Sequence, residues 1–387
     1  MKKSISILLS AVMAVGLAAC GQAESSSAEV LPTMVDDKDY VLTPDTVAAL
    51  PEGSSRKSVA LAVDARGVED GARNEAMWRG VTTFCEQFGV ENGGRFAAED
   101  ESTEAIERAL RDAAESGAEL VVCAGDEMAS ALYHVQESYP TVSYLILDDE
   151  PHSDDYVTYR TASNVHCVLF RQEQAAFLAG YAAVTEGITE LGFMGNTMLP
   201  QVVRYCTGFL QGAEAAAEQA GVQVHLKTWY SGTEGPDLEI EDRMNGWYYK
   251  GTGVVLVAGE TLLENTLTAA SNNGGRVMGT ETDRSNWGEL ILGSAVQRYN
   301  TVVQHQLYDF YQMGARWDEE HGGKTERVGV TEQAVGLSMQ PWNYTRFTLD
   351  DYIKLYDRLR TSAIKVERYS DAATLPETPN VTVESYN

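Results

Sequence analysis

With 387 residues and 44% hydrophobic content, the chain is long enough for about two domains and can bury real cores without disulfide staples. Its 57 acids against 29 bases give a formal net charge of -28. A surface this acidic repels phosphate polymers and anionic lipid, which excludes nucleic acid as an expected partner.

The chain opens with Lys2 and Lys3 as a positive n-region, an apolar run from Ile5 to Ala18, and then Leu17-Ala18-Ala19-Cys20. These are the proportions of a signal peptide rather than of a membrane span. Small residues directly before a lone cysteine resemble the bacterial lipobox, with cleavage before Cys20 and lipidation of its thiol and amine. The alternative is an ordinary secretory signal with a chance cysteine. Residues 1–19 are therefore expected to be a lipoprotein signal peptide. Residues 20–56, rich in Ser, Glu, Ala, Asp and Pro, read as a lipidated cysteine and a flexible tether. That places the folded body on the outer face of the cell membrane. No later stretch is long and apolar enough to span a bilayer.

From Ser58 the pattern alternates strand with helix. Val59 to Val63 has the length of a buried strand, and an acidic, glycine-bearing turn runs from Asp64 to Asp70. Asn74, Ala76, Met77, Trp78, Gly80 and Val81 then lead into a helix. Ligands of open parallel sheets sit outside the carboxyl ends of the strands, where such turns lie. The carboxylates and the asparagine suit a small polar ligand; alternatively, Asp70 simply starts the helix. Ser102 can cap the next helix, and Gly117 sits where a C-terminal glycine belongs. Leu120 to Ala124 reads as a strand, Met128, Leu132, Val135 and Tyr139 trace a helical face, and Val142 to Leu147 is a strand ending in Asp148-Asp149-Glu150. This order implies a parallel sheet covered on both faces.

A second series begins with the helix FRQEQAAFLAGYAAV from Phe170. Strands follow at Glu190 to Gly195, Val222 to Trp229, Gly253 to Gly259 and Arg276 to Gly279. Pro200 starts an intervening helix, and Leu262 to Ala270 forms another. Toward the end come a strand at Leu290 to Val296, a helix at Thr301 to Met313, a short strand at Ala334 to Met339 and a helix from Thr348. Residues after Tyr369 look frayed. Two α/β series followed by mixed elements predict two lobes, with late elements returning to complete each.

Chemistry-bearing patterns are few. Cys85, Cys123, Cys167 and Cys206 match no zinc spacing and read as buried free thiols. The 6 histidines show no HExxH, and neither a GxSxG elbow nor a phosphate-binding loop occurs. No enzyme, no cofactor and no metal is expected. The pair Asp148-Asp149 leaves a hydrolase as an alternative, since a raised carboxyl pKa serves acid catalysis. Trp78, Trp229 and Tyr230 are the aromatic candidates for a ligand site, although packing suits each of them.

Several stretches occur together in a known order: the opening SVALAVDARGVEDGARNEAMWRG, LVVCAG, YPTVSYLILDD, FRQEQAAFLAGYAA, LGFMGNTMLPQVVRYCTGFLQG, VVLVAG and VMGTETD. From Ser58 to about Val366 the chain resembles the basic membrane protein family of lipoproteins. These are substrate-binding components of ABC importers and include purine-nucleoside receptors. The resemblance implies the α/β type I periplasmic-binding-protein fold, with two doubly wound lobes, a hinge and an interlobe cleft. Residues 57–165 with about 280–330 would form one lobe, residues 166–279 with about 331–370 the other, and residues 371–387 a tail.

The family's opening motif is an aspartate, a glycine-rich turn, a second acidic pair, Ser-Phe-Asn and a tryptophan. Asp64, Gly67, Glu69, Asp70, Asn74, Trp78 and Gly80 match it, while Ala72 and Arg73 stand at the Ser-Phe positions. By match, Asp70 and Asn74 are implied ligand contacts, with Arg73 and Trp78 beside them. Asp148 resembles the family's aspartate that meets the base edge. Glu281 stands where the family commonly has an aspartate, and Gln297 aligns with its lysine. The implied function is that of an extracytoplasmic solute-binding lipoprotein. It would take a small polar ligand, nucleoside-like, into the cleft and deliver it to an ABC permease. The alternative is a surface sensor for a membrane signalling partner.

Overall fold

The computed structural model describes residues 35–386 apart from 54, 234 and 236. The signal-peptide and Cys20 expectations lie outside the described residues. Among those described, no helix is long and apolar enough to cross a membrane.

The first part of the chain runs β1 (Val59–Val63), α1 (Arg73–Phe88), β2 (Asn92–Ala97), α2 (Thr103–Glu115), β3 (Leu120–Ala124), α3 (Asp126–Val135), β4 (Ser143–Leu147) and β5 (Val165–Phe170). It then passes to α4 (Gln172–Thr185), β6 (Glu190–Gly195), α5 (Pro200–Ala220), β7 (Val224–Tyr230), α6 (Leu238–Tyr249), β8 (Val254–Ala258), α7 (Leu263–Asn273), β9 (Arg276–Glu281) and β10 (Ile291–Gln297). The remainder is α8 (Tyr299–Gln312), β11 (Lys324–Val328), β12 (Val335–Leu337), α9 (Leu349–Arg360) and β13 (Val381–Ser385).

Two sheets result, a six-stranded one in the order β11-β5-β4-β3-β1-β2 and a seven-stranded one in the order β12-β10-β9-β8-β6-β7-β13. Every pairing is parallel except that of β12 with β10. The chain passes between the sheets after β5, after β10 and after β11, which is the doubly wound, two-lobed architecture expected. β1, β3, β4 and β8 are buried along their whole length and apolar apart from Ser143 at the start of β4, as suits parallel strands with helices on both faces. Burying one such leucine contributes about 1.5–3 kcal/mol relative to exposure. Ser102 caps α2, Pro200 starts α5, and Thr348 forms a capping box with Asp351 at α9.

Helices α4 and α5 touch backbone to backbone. A Cβ added at Gly208 or Gly212 would overlap the carbonyl oxygens of Glu173 and Phe177. Cys85, Cys123, Cys167 and Cys206 are buried and free, as read from their spacing. Burial pushes the thiols of Cys85, Cys167 and Cys206 up to about 12.

Some expectations change. Residues 291–297, read as part of the first lobe, pair with β9 in the second sheet. Residues 165–170 are a strand of the first sheet rather than the opening of the second lobe. Residues 381–385, read as tail, form β13 beside β7. The later part of the presumed tether is also docked. Leu42 and Leu50 are buried, and Asp37 accepts hydrogen bonds from the Asn300 and Thr301 amides at 2.9 Å, which caps α8. Its acidic character suggested a linker, but an acid is what a helix N-terminus binds.

Candidate ligand-binding site

The ends of β1, β3 and β4 from one sheet and of β9 and β10 from the other supply the site, as parallel strands deliver side chains at their carboxyl ends. Asp64 follows β1. Its Oδ1 accepts from Asn74 Nδ2 at 2.9 Å and from the Arg66 amide at 3.0 Å, and its Oδ2 from Arg66 Nη2 at 2.6 Å and Arg73 Nη2 at 3.3 Å. Burial works to raise the carboxyl's pKa, but the hydrogen bond and charge of Arg66 and the charge of Arg73 hold it below the usual range.

Arg73 rises from the first turn of α1 and is buried, with Nη1 3.8 Å from Glu281 Oε1 in the other lobe. Its guanidinium lies against Gly125, where a Cβ would come within 2.5 Å of Nη1; only glycine fits there, and its φ of +92° suits glycine too. The Arg73 Nε–H is buried without a hydrogen-bond partner. Asp70, by contrast, spends its carboxylate on its own helix, accepting from the Ala72, Asn74 and Glu75 amides at 2.9–3.0 Å. That is the capping arrangement, and Asp70 also borders a cavity at the start of α1.

Asp148 ends β4 with φ +70°. Its Oδ1 accepts from Gln172 Nε2 at 2.8 Å and its Oδ2 from the Tyr299 hydroxyl at 3.2 Å. Glu281 Oε1 lies 3.0 Å from the same hydroxyl, and Gln297 Nε2 donates to it at 3.0 Å. A tyrosine carries one hydroxyl proton, so two carboxylates share a single donor. Desolvation, with Glu281 as neighbour, pushes the Asp148 carboxyl up to about 7. Tyr205 donates to Gln297 Oε1 at 2.7 Å, and Arg204 Nε to Gln172 Oε1 at 2.9 Å.

Of the residues singled out in the sequence, Asp148, Glu281 and Gln297 meet at the Tyr299 hydroxyl and Arg73 and Asn74 meet at Asp64, and the Arg73–Glu281 ion pair at 3.8 Å joins the two groups into one polar network. Trp78 does not join it. One helical turn beyond Asn74, it lies half-buried with the Arg95 guanidinium 5.8 Å from its ring centre. Trp229 and Tyr230 pack within the second lobe, against Arg243 and Phe193. Gln172, Arg204, Tyr205 and Tyr299 escaped sequence reading. Their only local signal is a polar atom on an otherwise apolar helix face.

Beside the network a cavity of about 430 Å³ opens between the start of α1 and the segment after β9, and Gln297 borders both. It falls within the usual size of small-molecule sites, about 300–1,000 Å³. Arg284 crosses its edge, donating to the Gly71 carbonyl at 3.1 Å with its guanidinium 4.8 Å above the Trp287 ring.

Comparison with known proteins identifies the family and the fold. A family model described as ABC transporter substrate-binding protein, PnrA-like, matches residues 57–366. Basic membrane protein B of Borrelia garinii subsp. bavariensis is 27% identical over 248 residues, covering 63% of this chain and 67% of that one. The ABC transporter nucleoside-binding protein BmpA of Lactococcus lactis subsp. cremoris is 21% identical over 265 residues, covering 63% of this chain and 72% of its own. Among solved structures, an ABC transporter system solute-binding protein of Aeropyrum pernix shares the fold. Its TM-score is 0.62 at 19% identity, covering 82% of this chain and 94% of that chain.

Proposed function

Because the chain belongs to the family of PnrA-like ABC transporter substrate-binding proteins, we propose that it captures a nucleoside-like solute between its lobes and delivers it to an ABC permease. It does so from the outer face of the membrane, held by a lipid on Cys20. The observation that carries the ligand class is the convergence of Asp148 from one lobe and Glu281 and Gln297 from the other on a single tyrosine hydroxyl. The two carboxylates have more acceptor positions than Tyr299 can fill, and the hydroxyls and amines of a nucleoside fill them. The unused Nε–H of Arg73 is a donor for a ring nitrogen or carbonyl of the base. Arg73 thereby takes the position where the family resemblance implies an aromatic ring. The Lactococcus lactis relative, a nucleoside-binding protein, supports the same ligand class. The family is one of binding components, and no catalytic step is proposed.

A thermal-shift screen of nucleosides, free bases, sugars and amino acids tests the reading, since a ligand that binds only the folded state raises Tm by mass action. The proposal expects nucleosides to raise Tm and amino acids to leave it unchanged. A response confined to sugars or amino acids would overturn the ligand class.

A further inference from the structure

Apart from the interlobe network, Asp126, Asp149 and His152 bring one ligand atom each to within 4.8 Å of one another. Asp126 opens α3 directly after β3, Asp149 follows the end of β4, and His152 begins the segment that turns back through a bridge to Tyr159. No short motif joins positions so spaced, which is why the sequence offered no metal ligands.

His152 separates this cluster from an ordinary group of surface acids. Its side chain is 1% exposed, with the ring stacked on Tyr156 at 4.4 Å. Its Nδ1 faces the Ser153 carbonyl at 2.9 Å, a contact that requires the proton on Nδ1. In the neutral ring this leaves a lone pair on Nε2. That Nε2 is buried, has no hydrogen-bond partner and lies 3.4 Å from Asp126 Oδ1. A lone pair facing a carboxylate oxygen is repulsive unless something positive lies between them. Ligand atoms about 2.1 Å from an ion at the tetrahedral angle stand about 3.4 Å apart, which is the observed separation. The remaining oxygen of Asp126 accepts from the Tyr156 hydroxyl at 2.6 Å, turning Oδ1 inward. Asp149 Oδ1 accepts from the Glu150 amide at 2.7 Å, fixing that carboxylate too. Such outer partners are what orients imidazole and carboxylate ligands in metal sites.

We propose that Asp126, Asp149 and His152 bind a divalent transition-metal cation of the zinc class, through one nitrogen and two carboxylate oxygens. A fourth coordination position remains for water. Asp126 is one-third exposed, which gives the ion its way in. One imidazole with two carboxylates suits Zn²⁺ and its neighbours better than Mg²⁺ or Ca²⁺, which prefer all-oxygen shells. The ion would pin the start of α3 to the end of β4.

The test is titration of the EDTA-treated, dialysed full chain with Zn²⁺ by calorimetry, and with Co²⁺ by visible absorption. The expected result is one saturable site whose Co²⁺ bands report tetrahedral nitrogen and oxygen ligation. Asp149→Asn and His152→Gln should each weaken Zn²⁺ binding at least tenfold, with circular dichroism showing both variants folded. Asp149→Asn keeps the test decisive if the buried histidine cannot be replaced. His134→Gln should leave binding unchanged, since His134 pairs with Asp154 at the surface nearby. No saturable Zn²⁺ or Co²⁺ site, or equal binding in the wild type and Asp149→Asn, would overturn the proposal and leave an imidazolium–carboxylate pair. Tighter Ca²⁺ than Zn²⁺ binding would also overturn it.

Discussion

Replacing Arg73 by Met tests whether the interlobe network holds the fold together as well as shaping the site. The side chain is 11% exposed and reaches Asp64 at 3.3 Å in its own lobe and Glu281 at 3.8 Å in the other. Removing one partner of a buried ion pair costs about 3–5 kcal/mol, because an uncompensated charge remains. Here the remaining charges are partly served. Asp64 keeps Arg66 and Asn74, and Glu281, one-third exposed, keeps Tyr299. The expected loss is therefore about 2–3 kcal/mol, at or just below the lower limit of that range. It should appear in urea unfolding as a lowered midpoint at unchanged slope. Arg66→Met is the comparison: its own side chain is 43% exposed although Asp64 is only 9% exposed, so solvent screening should keep its loss below that of Arg73→Met, at about 1 kcal/mol. The deficit also has a pH signature. Asp64 is held below its ordinary pKa, so its pairing stabilises above the unfolded value and is lost as pH falls through the folded one. The gap between wild type and Arg73→Met should narrow as pH is lowered through the acidic carboxylate range. A loss below about 1 kcal/mol, or one equal to that of Arg66→Met, would refute the reasoning.

Three further outcomes follow from the same structure. Gly212→Ala should force α4 and α5 apart at the Phe177 carbonyl and lower stability by about 1–3 kcal/mol, read as a fall in Tm. Asp37→Ala removes the cap of α8, which should cost about 0.5–2 kcal/mol and raise proteolysis between residues 35 and 56. Tyr299→Phe deletes the hydroxyl shared by Asp148 and Glu281. Ligand affinity measured by calorimetry should fall more than the roughly 1 kcal/mol expected from a single neutral hydrogen bond.

The central strands were legible because Val59–Val63, Leu120–Ala124 and Val254–Ala258 are covered on both faces and read as unbroken apolar runs. β2 (NGGRFA), β11 (KTERV) and β13 (VTVES) were not. All three lie at sheet edges, where solvent replaces one neighbour and the apolar signal thins. Which sheet β10 joins is likewise unreadable locally, since its pairing with β9 and β12 is set by the whole topology.

Within the site, the strand-end positions Asp148, Glu281 and Gln297 came from the family resemblance, and they meet. The residues supplied by helices, Gln172, Arg204, Tyr205 and Tyr299, acquire meaning only when the two lobes face each other. Asp70 does both things the sequence allowed: its carboxylate accepts from three amides at the start of α1 and also borders the cavity.

The most direct test of nucleoside capture is calorimetric titration of the wild type, Asp148→Asn and Glu281→Gln with guanosine, adenosine and uridine. The account predicts saturable one-to-one binding of at least one nucleoside by the wild type, weakened at least tenfold in each variant. Absence of binding for all three nucleosides, or affinity unchanged in both variants, would contradict it.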